Sequence, residues 1–259
     1  MNKIFETHAH YEDESFNEDR EAVIASLFQN NIGWVVNVGA SMDTCRKTVE
    51  LVKRYDNFYG ALGVHPSEVA ELTEDDMKWL ECTINSTDKI VAVGEVGFDY
   101  HWPEPTRELQ AKWFERQLEL VAAVKKPVII HSREADADTK DILKAHNNEF
   151  YGGIIHCYSY SKESARDYLN MGYHIGVGGV VTFKNGKRLK ETVEYMPLDR
   201  LVLETDCPYM APEPYRGRRN NSLYLSYVVA EIARIKGITE EEVIKITRDN
   251  ASKLFGIGV

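Results

Sequence analysis

Six side chains that can hold a metal ion, His8, His10, Glu95, His131, His156 and Asp206, stand at or just after the ends of short apolar runs. The first run is Lys3 to His10, K-I-F-E-T-H-A-H, where Ile4 and Phe5 lead into two imidazoles separated by one residue. On an extended backbone, positions i and i+2 share a side, so His8 and His10 can reach one ion together. Any one of these histidines alone reads more readily as a hydrogen-bonded core residue or a surface polar group than as a ligand. Recurrence carries the weight, because five of the eight histidines stand where a strand-like run stops.

Four imidazoles and two carboxylates without a thiolate suit a pair of divalent cations about 3.5 to 4 Å apart, with Glu95 as the bridge, better than one zinc. Such donors accept zinc, manganese, nickel or, less well, magnesium, so the metal's identity stays open. The chemistry is hydrolysis: a cation pair acidifies a water, orients it for in-line attack and stabilises charge on a phosphoryl or carbonyl oxygen. Asp206 would be both ligand and proton acceptor. Glu204, on the same strand face as Asp206, reads either as a support for the ligands or as half of a buried salt bridge. His65, followed by Pro66, has no second ligand in its loop and is assigned to substrate contact, with loop packing as the alternative. The segment P-Y-M-A-P-E-P-Y-R-G-R-R-N carries Arg216, Arg218 and Arg219. Arginines beside a metal pair suit phosphate binding, with Arg216 the substrate-binding candidate, and solvated loop charge is the other reading. Cys157 and Cys207 each follow a ligand candidate, point to the opposite strand face and read as packing residues.

Bringing these residues to one mouth takes a particular architecture. Apolar runs beginning at Ile4 and spanning Ile32–Val38, Phe58–Val64, Lys89–Val93, Pro127–Ile130, Gly153–Ile155, Tyr173–Val177 and Arg200–Leu203 predict eight strands. Helical periodicity between them predicts helices over Arg20–Asn30, Met42–Arg54, Thr73–Ile84, Pro105–Val124, Glu134–His146, Lys162–Met171 and Leu189–Tyr195. Two more close the chain at Leu223–Lys236 and Glu240–Phe255, the second broken near Asp249. No linker or composition shift divides residues 1–259, so the alternation predicts an α/β fold, a TIM (β/α)8 barrel in a single domain. A doubly wound open sheet is the alternative, but the G-x-G-x-x-G and G-x-x-x-x-G-K loops that mark it are missing. In such barrels functional groups sit at the C-terminal strand ends, where the candidates above fall.

The chain carries 31 Lys and Arg against 41 Asp and Glu, a formal net charge of -10, which excludes general coating of nucleic acid. A small basic or metallic site remains compatible with it. The cysteines Cys45, Cys82, Cys157 and Cys207 form no C-x-x-C pair and read as idle thiols in a reducing cytosol. No apolar stretch approaches the roughly 20 residues of a bilayer span. Acidic residues crowd positions 12 to 19, where a signal peptide would be basic and then apolar. The expectation is a cytoplasmic protein with no membrane attachment and no obligate protein partner.

Ordered motifs then extend along nearly the whole chain: T-H-A-H at Thr7, G-V-H-P-S-E-V at Gly63, G-E-V-G-F-D-Y at Gly94, P-V-I-I-H-S-R at Pro127 and H-C-Y-S at His156. E-T-D-C-P-Y-M-A-P at Glu204, R-G-R-R-N at Arg216 and N-A-x-x-L-F-G at Asn250 continue them. Together they resemble the TatD family of metal-dependent deoxyribonucleases, within the amidohydrolase superfamily of barrels. The resemblance implies a TIM barrel, two divalent ions and phosphodiester hydrolysis, most specifically a 3′ to 5′ exonuclease that takes a DNA end into the barrel mouth. It also implies His8, His10 and Asp206 on one ion, His131 and His156 on the other, and Glu95 between. Three departures bear on substrate preference while leaving every ligand in place. Glu6 stands where the family begins D-T-H-x-H, Tyr160 replaces a Gly near His156 and would reshape the mouth, and Asn221 and Ser222 replace Glu and Pro. Competing readings are a hydrolase of small esters, lactones or amides using the same metals, and a non-catalytic metal-binding adaptor.

Overall fold

In the computed structural model, which describes residues 3–146 and 151–259, eight parallel strands pair in sequence order. They are β1 (Ile4–Ala9), β2 (Ile32–Val38), β3 (Phe58–Leu62), β4 (Ile90–Asp99), β5 (Val128–Arg133), β6 (Gly153–Ile155), β7 (His174–Val177) and β8 (Leu201–Leu203). The ring closes just beyond β8, where Ala9 bridges to Cys207 and the His10 amide donates to the Cys207 carbonyl at 2.8 Å. This is the TIM barrel that the alternation predicts. Around it lie α1 (Arg20–Gln29), α2 (Met42–Arg54), α3 (Glu74–Ser86), α4 (Arg107–Val124), α5 (Asp136–Ala145), α6 (Lys162–Asn170), α7 (Lys187–Tyr195), α8 (Leu225–Lys236) and α9 (Glu240–Phe255). No helix of the described residues is long and apolar enough to cross a membrane.

Strand alternation splits the core in two. Ile4, Val35, Val93, Ile130 and Ile155 face outward into the layer beneath the helices. Their neighbours Phe5, Val36, Ala92, Ile129 and Ile154 form a second cluster, which fills the barrel interior. Phe255 of α9 joins that inner cluster, its ring 6.1 Å from the Phe5 ring, and so plugs the end opposite the strand C-termini. Both strand faces are covered, which is why these segments read as continuous apolar runs.

Two expectations change. The last helix is unbroken through Asp249: Thr239 and Glu242 form a capping box at its start, and Lys245 pairs with Asp249 one turn on at 3.0 Å. Strands β4 and β5 run on to Asp99 and Arg133, well past the expected Val93 and Ile130. Glu95 and His131 therefore lie inside paired strands, whose ladder holds them more rigidly than a loop would.

Candidate metal centre

The ligand-bearing strands are locally irregular where the ligands sit. Register shifts interrupt β1 between Glu6 and Ala9 and β4 between Val93 and Val96. Such irregularities re-aim side chains at barrel rims. At Gly97 the strands come so close that a Cβ would lie 1.9 Å from the His131 carbonyl oxygen, so only glycine fits. Gly176 similarly leaves room for the Glu204 carboxylate, which a Cβ would approach to 2.2 Å.

All six candidate ligands meet at the strand C-termini, and Glu95 stands at their centre. Its Oε2 lies 3.5 Å from His8 Nε2 and 3.9 Å from His10 Nε2. Its Oε1 lies 2.7 Å from His131 Nδ1 and 3.0 Å from His156 Nε2. Asp206 Oδ1 joins the first group, 3.3 Å from His10 Nε2 and 3.7 Å from His8 Nε2. The two carboxylate oxygens of Glu95 thus divide the donors into two sets, the arrangement that a bridging ligand requires. Asp206 adopts φ 57°, a left-handed conformation that costs a non-glycine residue on the order of 1 kcal/mol. Its amide donates to the His8 carbonyl at 3.0 Å, which ties the last ligand to the first.

This donor set fits cations on its own chemistry. His8 Nε2 and His10 Nε2 face each other at 3.1 Å, and two carboxylate oxygens converge on the same point. Lone pairs outnumber protons there, a conflict that a cation resolves. Two of the far ring nitrogens are backed by hydrogen-bond acceptors, as those of metal-binding histidines are: His10 Nδ1 lies 2.7 Å from the Val38 carbonyl and His131 Nε2 lies 3.1 Å from Asp99 Oδ2. His156 Nδ1 faces the Glu204 carboxylate across 3.5 Å, within ion-pair range but with no hydrogen bond. Glu204 Oε1 accepts from the Cys157 amide at 2.5 Å, while Glu204 Oε2, His8 Nδ1 and His156 Nδ1 are buried without a hydrogen-bond partner. Glu204 therefore supports the ligand side of the barrel, the first of its two sequence readings. Asp99 went unrecognised in the sequence, although Glu95, Gly97 and Asp99 follow the two-residue period of one strand face. Glu12, whose Oε1 lies 3.5 Å from His10 Nδ1, sits in an acidic turn that gave no such signal.

Burial and charge pull the ionisable groups in different directions. Burial raises the Glu95 carboxyl, but His156 and His131 overcome it and hold Glu95 well below the usual carboxylate range. Burial likewise lowers His10, and the Asp206 and Glu12 carboxylates reverse this, raising it well above its ordinary value. His8, stacked 3.7 Å from the His156 ring, is lowered by burial and by that neighbour.

A cleft of about 820 Å³ opens over the cluster, lined among others by His65, Arg133, Trp102 and Tyr209. His65 is within 4.0 Å of Glu95 Oε1, and burial pushes its pKa down to about 3, so the ring is neutral. Its Nδ1 accepts from the Ser67 amide at 3.1 Å, which leaves the proton on Nε2. Arg216 does not reach the cleft; its guanidinium packs over the Phe183 ring at 4.4 Å. Arg219 is engaged by Asp19 at 2.8 and 2.6 Å, and Arg218 lies over the Tyr215 ring. The cleft's cation is Arg133, which forms no ion pair or hydrogen bond through its guanidinium among the described residues. The reading that ended β5 at Ile130 concealed it.

The departures from the family pattern have local explanations. Glu6 is fully buried; its Oε1 accepts from the amides of His8 and Thr205 and its Oε2 from the Thr205 hydroxyl at 2.6 Å, which binds β1 to the end of β8. Tyr160 turns out of the cleft, its hydroxyl 2.9 Å from Ser132 Oγ and accepting from the Ala135 amide at 3.0 Å. Asn221 caps a short 3-10 turn, and Ser222 donates its amide to the Tyr11 hydroxyl at 2.9 Å.

A family model described as TatD related DNase matches residues 5–256. The chain belongs to the TatD family. The metal-dependent hydrolase YabD of Bacillus subtilis is 41% identical over 254 residues, which cover 98% of this chain and 99% of YabD. The metal-dependent hydrolase YcfH of Escherichia coli K12 is 33% identical over 258 residues, covering 98% of this chain and 96% of YcfH. Among solved structures, the TatD homolog YjjV of Escherichia coli K12 superposes with a TM-score of 0.94 at 28% identity, covering all of both chains. The groups around Glu95 are thus able to hold metal ions at the mouth of a TatD-family barrel.

Proposed function

We propose that this TatD-family metal-dependent hydrolase cleaves phosphodiester bonds, working as a 3′ to 5′ exonuclease on DNA ends. Two divalent cations, one held by His8, His10 and Asp206 and the other by His131 and His156 with Glu95 between, would supply an acidified water and neutralise charge on the phosphoryl oxygens. Asp206 accepts the proton that the attacking water gives up, since its carboxylate faces the open cleft beside the ligand cluster. Neutral His65 donates from Nε2 to a phosphoryl oxygen. Arg133 meets the phosphate with its free guanidinium, a fork suited to two oxygens at once. A ligand cluster of this kind serves lactones and phosphodiesters alike. The observation that favours phosphate is Arg133, an unpaired guanidinium in the same cleft.

The test is metal-reconstituted protein, beside Glu95→Ala, Asp206→Ala and Arg133→Ala, incubated with end-labelled single-stranded DNA and with chromogenic phosphodiesters and lactones. Stepwise shortening from the 3′ end is expected, abolished in the first two variants and weakened about 10- to 100-fold in the third, the worth of a charge-assisted bidentate contact. Turnover of lactones alone would sink the reading, and metal binding without any turnover would favour an adaptor.

A further inference from the structure

The mouth of this barrel is acidic well beyond what its ligands require. Glu12, Asp13, Glu68 and Asp99 line the cleft in addition to Glu95 and Asp206, and among the described residues that line it Arg133 is the only Lys or Arg, the histidines being neutral once they hold cations. Two divalent cations and one guanidinium do not outweigh six carboxylates. A charged strand therefore gains nothing from the surrounding field, and a single phosphate at the centre is the most anion this cleft can welcome. Whatever else holds the substrate has to be uncharged.

Two aromatic rings meet that description. Trp102 is 57% exposed and Tyr209 is 54% exposed, and among the described residues they are the exposed large apolar side chains that line this cleft. Trp102 follows β4 and Tyr209 follows β8, strands four places apart in a ring of eight, so the two rise from opposite sides of the mouth. Each is anchored from behind. The Trp102 ring meets the His101 ring edge-on at 4.7 Å, and His101 Nδ1 lies 3.1 Å from Glu134 Oε1. Tyr209 donates its hydroxyl to Asp13 Oδ2 at 3.1 Å, its amide donates to the Asp206 carbonyl at 2.9 Å, and its own carbonyl accepts from Asn220 Nδ2 at 2.7 Å. Wetted aromatic faces held in place on both sides of a metal cluster are stacking surfaces, and every base offers a π-face to them.

We infer that Trp102 and Tyr209 clamp the terminal nucleobase of the substrate, so that the site reads one phosphate and one base with little regard to base identity. This inference rests on the phosphodiesterase reading above and adds what that reading lacks, a means of gripping a DNA end without a basic groove. The strand beyond the end stays in solvent.

The metal-loaded protein is titrated by calorimetry with thymidine 5′-monophosphate and with 2-deoxyribose 5-phosphate, which keeps the phosphate and lacks the base. The nucleotide binds about tenfold more tightly, the effect of stacking one base. Trp102→Phe keeps most of that preference, whereas Trp102→Leu and Trp102→Ala lose it, which separates a ring effect from bulk. Equal affinities in the wild type, or a preference untouched in the Trp102→Ala, Tyr209→Leu double variant, overturn the clamp. With a nuclease-resistant phosphorothioate oligonucleotide, log affinity falls with log salt at a slope of about -0.7 to -1.4, the mark of one or two phosphates. A slope steeper than about -3 overturns the small footprint. DNA shortening without base preference removes the clamp alone, and base preference without DNA shortening removes the exonuclease reading while the clamp stands.

Discussion

His156 and His174 occupy neighbouring strands at opposite ends of the barrel wall, and their imidazoles are driven in opposite directions. His156 follows β6 at the mouth; burial alone would lower it, yet Glu95 and Glu204 raise it well above its ordinary value. His174 opens β7 at the far end, where burial and the Arg200 guanidinium push it from 6.5 down to about 4. Burial is common to both, so the fold alone does not make a histidine a metal site. Carboxylates must also outweigh burial, as Glu95 and Glu204 do at His156, whereas the one acidic neighbour of His174, Asp199, is outweighed by burial and Arg200.

Removing the charge that distinguishes the two ends gives the largest effect. Glu95→Ala makes the mouth resemble the far end: metal content measured by mass spectrometry falls below that of the wild type, expected at two equivalents, and hydrolysis falls by on the order of a thousandfold. Retention of both metals by this variant would show that the histidines hold them without a bridge.

The far end is sharpened by acid. His174 binds its proton only below about pH 4 when folded, whereas an unfolded chain protonates it near 6.5. Between those values the unfolded state binds more protons, so its contribution to stability is present above pH 6.5 and is lost as pH falls toward 4. Urea unfolding of His174→Gln should show this part of the acid sensitivity removed, at most about 3 kcal/mol. A variant with the wild-type pH dependence would mean that the ring is already solvated.

Glu204→Gln keeps the shape behind His156 and removes the charge. Metal affinity should fall about 10- to 100-fold with circular dichroism unchanged, the usual consequence of losing a group that orients a metal-binding histidine. Unaltered affinity would confine Glu204 to packing. Arg216→Ala should change DNA turnover by less than about twofold, since the side chain lies on Phe183 outside the cleft. A tenfold loss would mean that the loop swings inward when substrate arrives.

Much of this is legible in the sequence. Apolar runs located all eight strands, because both faces of a parallel barrel are covered, and the polar residues at or after the ends of five of those runs come together around Glu95. Asp99 and Arg133 were hidden for one reason: glycines and polar residues within β4 and β5 look like the end of a strand, when they are the part of it that faces the chemistry. Arg216 was misleading because loop composition records the charge and not where the guanidinium lies. Thr239, Glu242 and Lys245 together outweighed the polar stretch that suggested a break in α9.

The seam at which Ala9 meets Cys207 has a consequence for synthesis. His8 and His10 leave the ribosome before Asp206, which lies beside them in the folded barrel and follows them by roughly 10 to 40 s at about 5–20 residues per second. A nascent chain thus carries the two imidazoles of this cluster well before their carboxylate neighbour is made. A cation shared by the three would report that the barrel has been fastened, because only the closed seam brings them together.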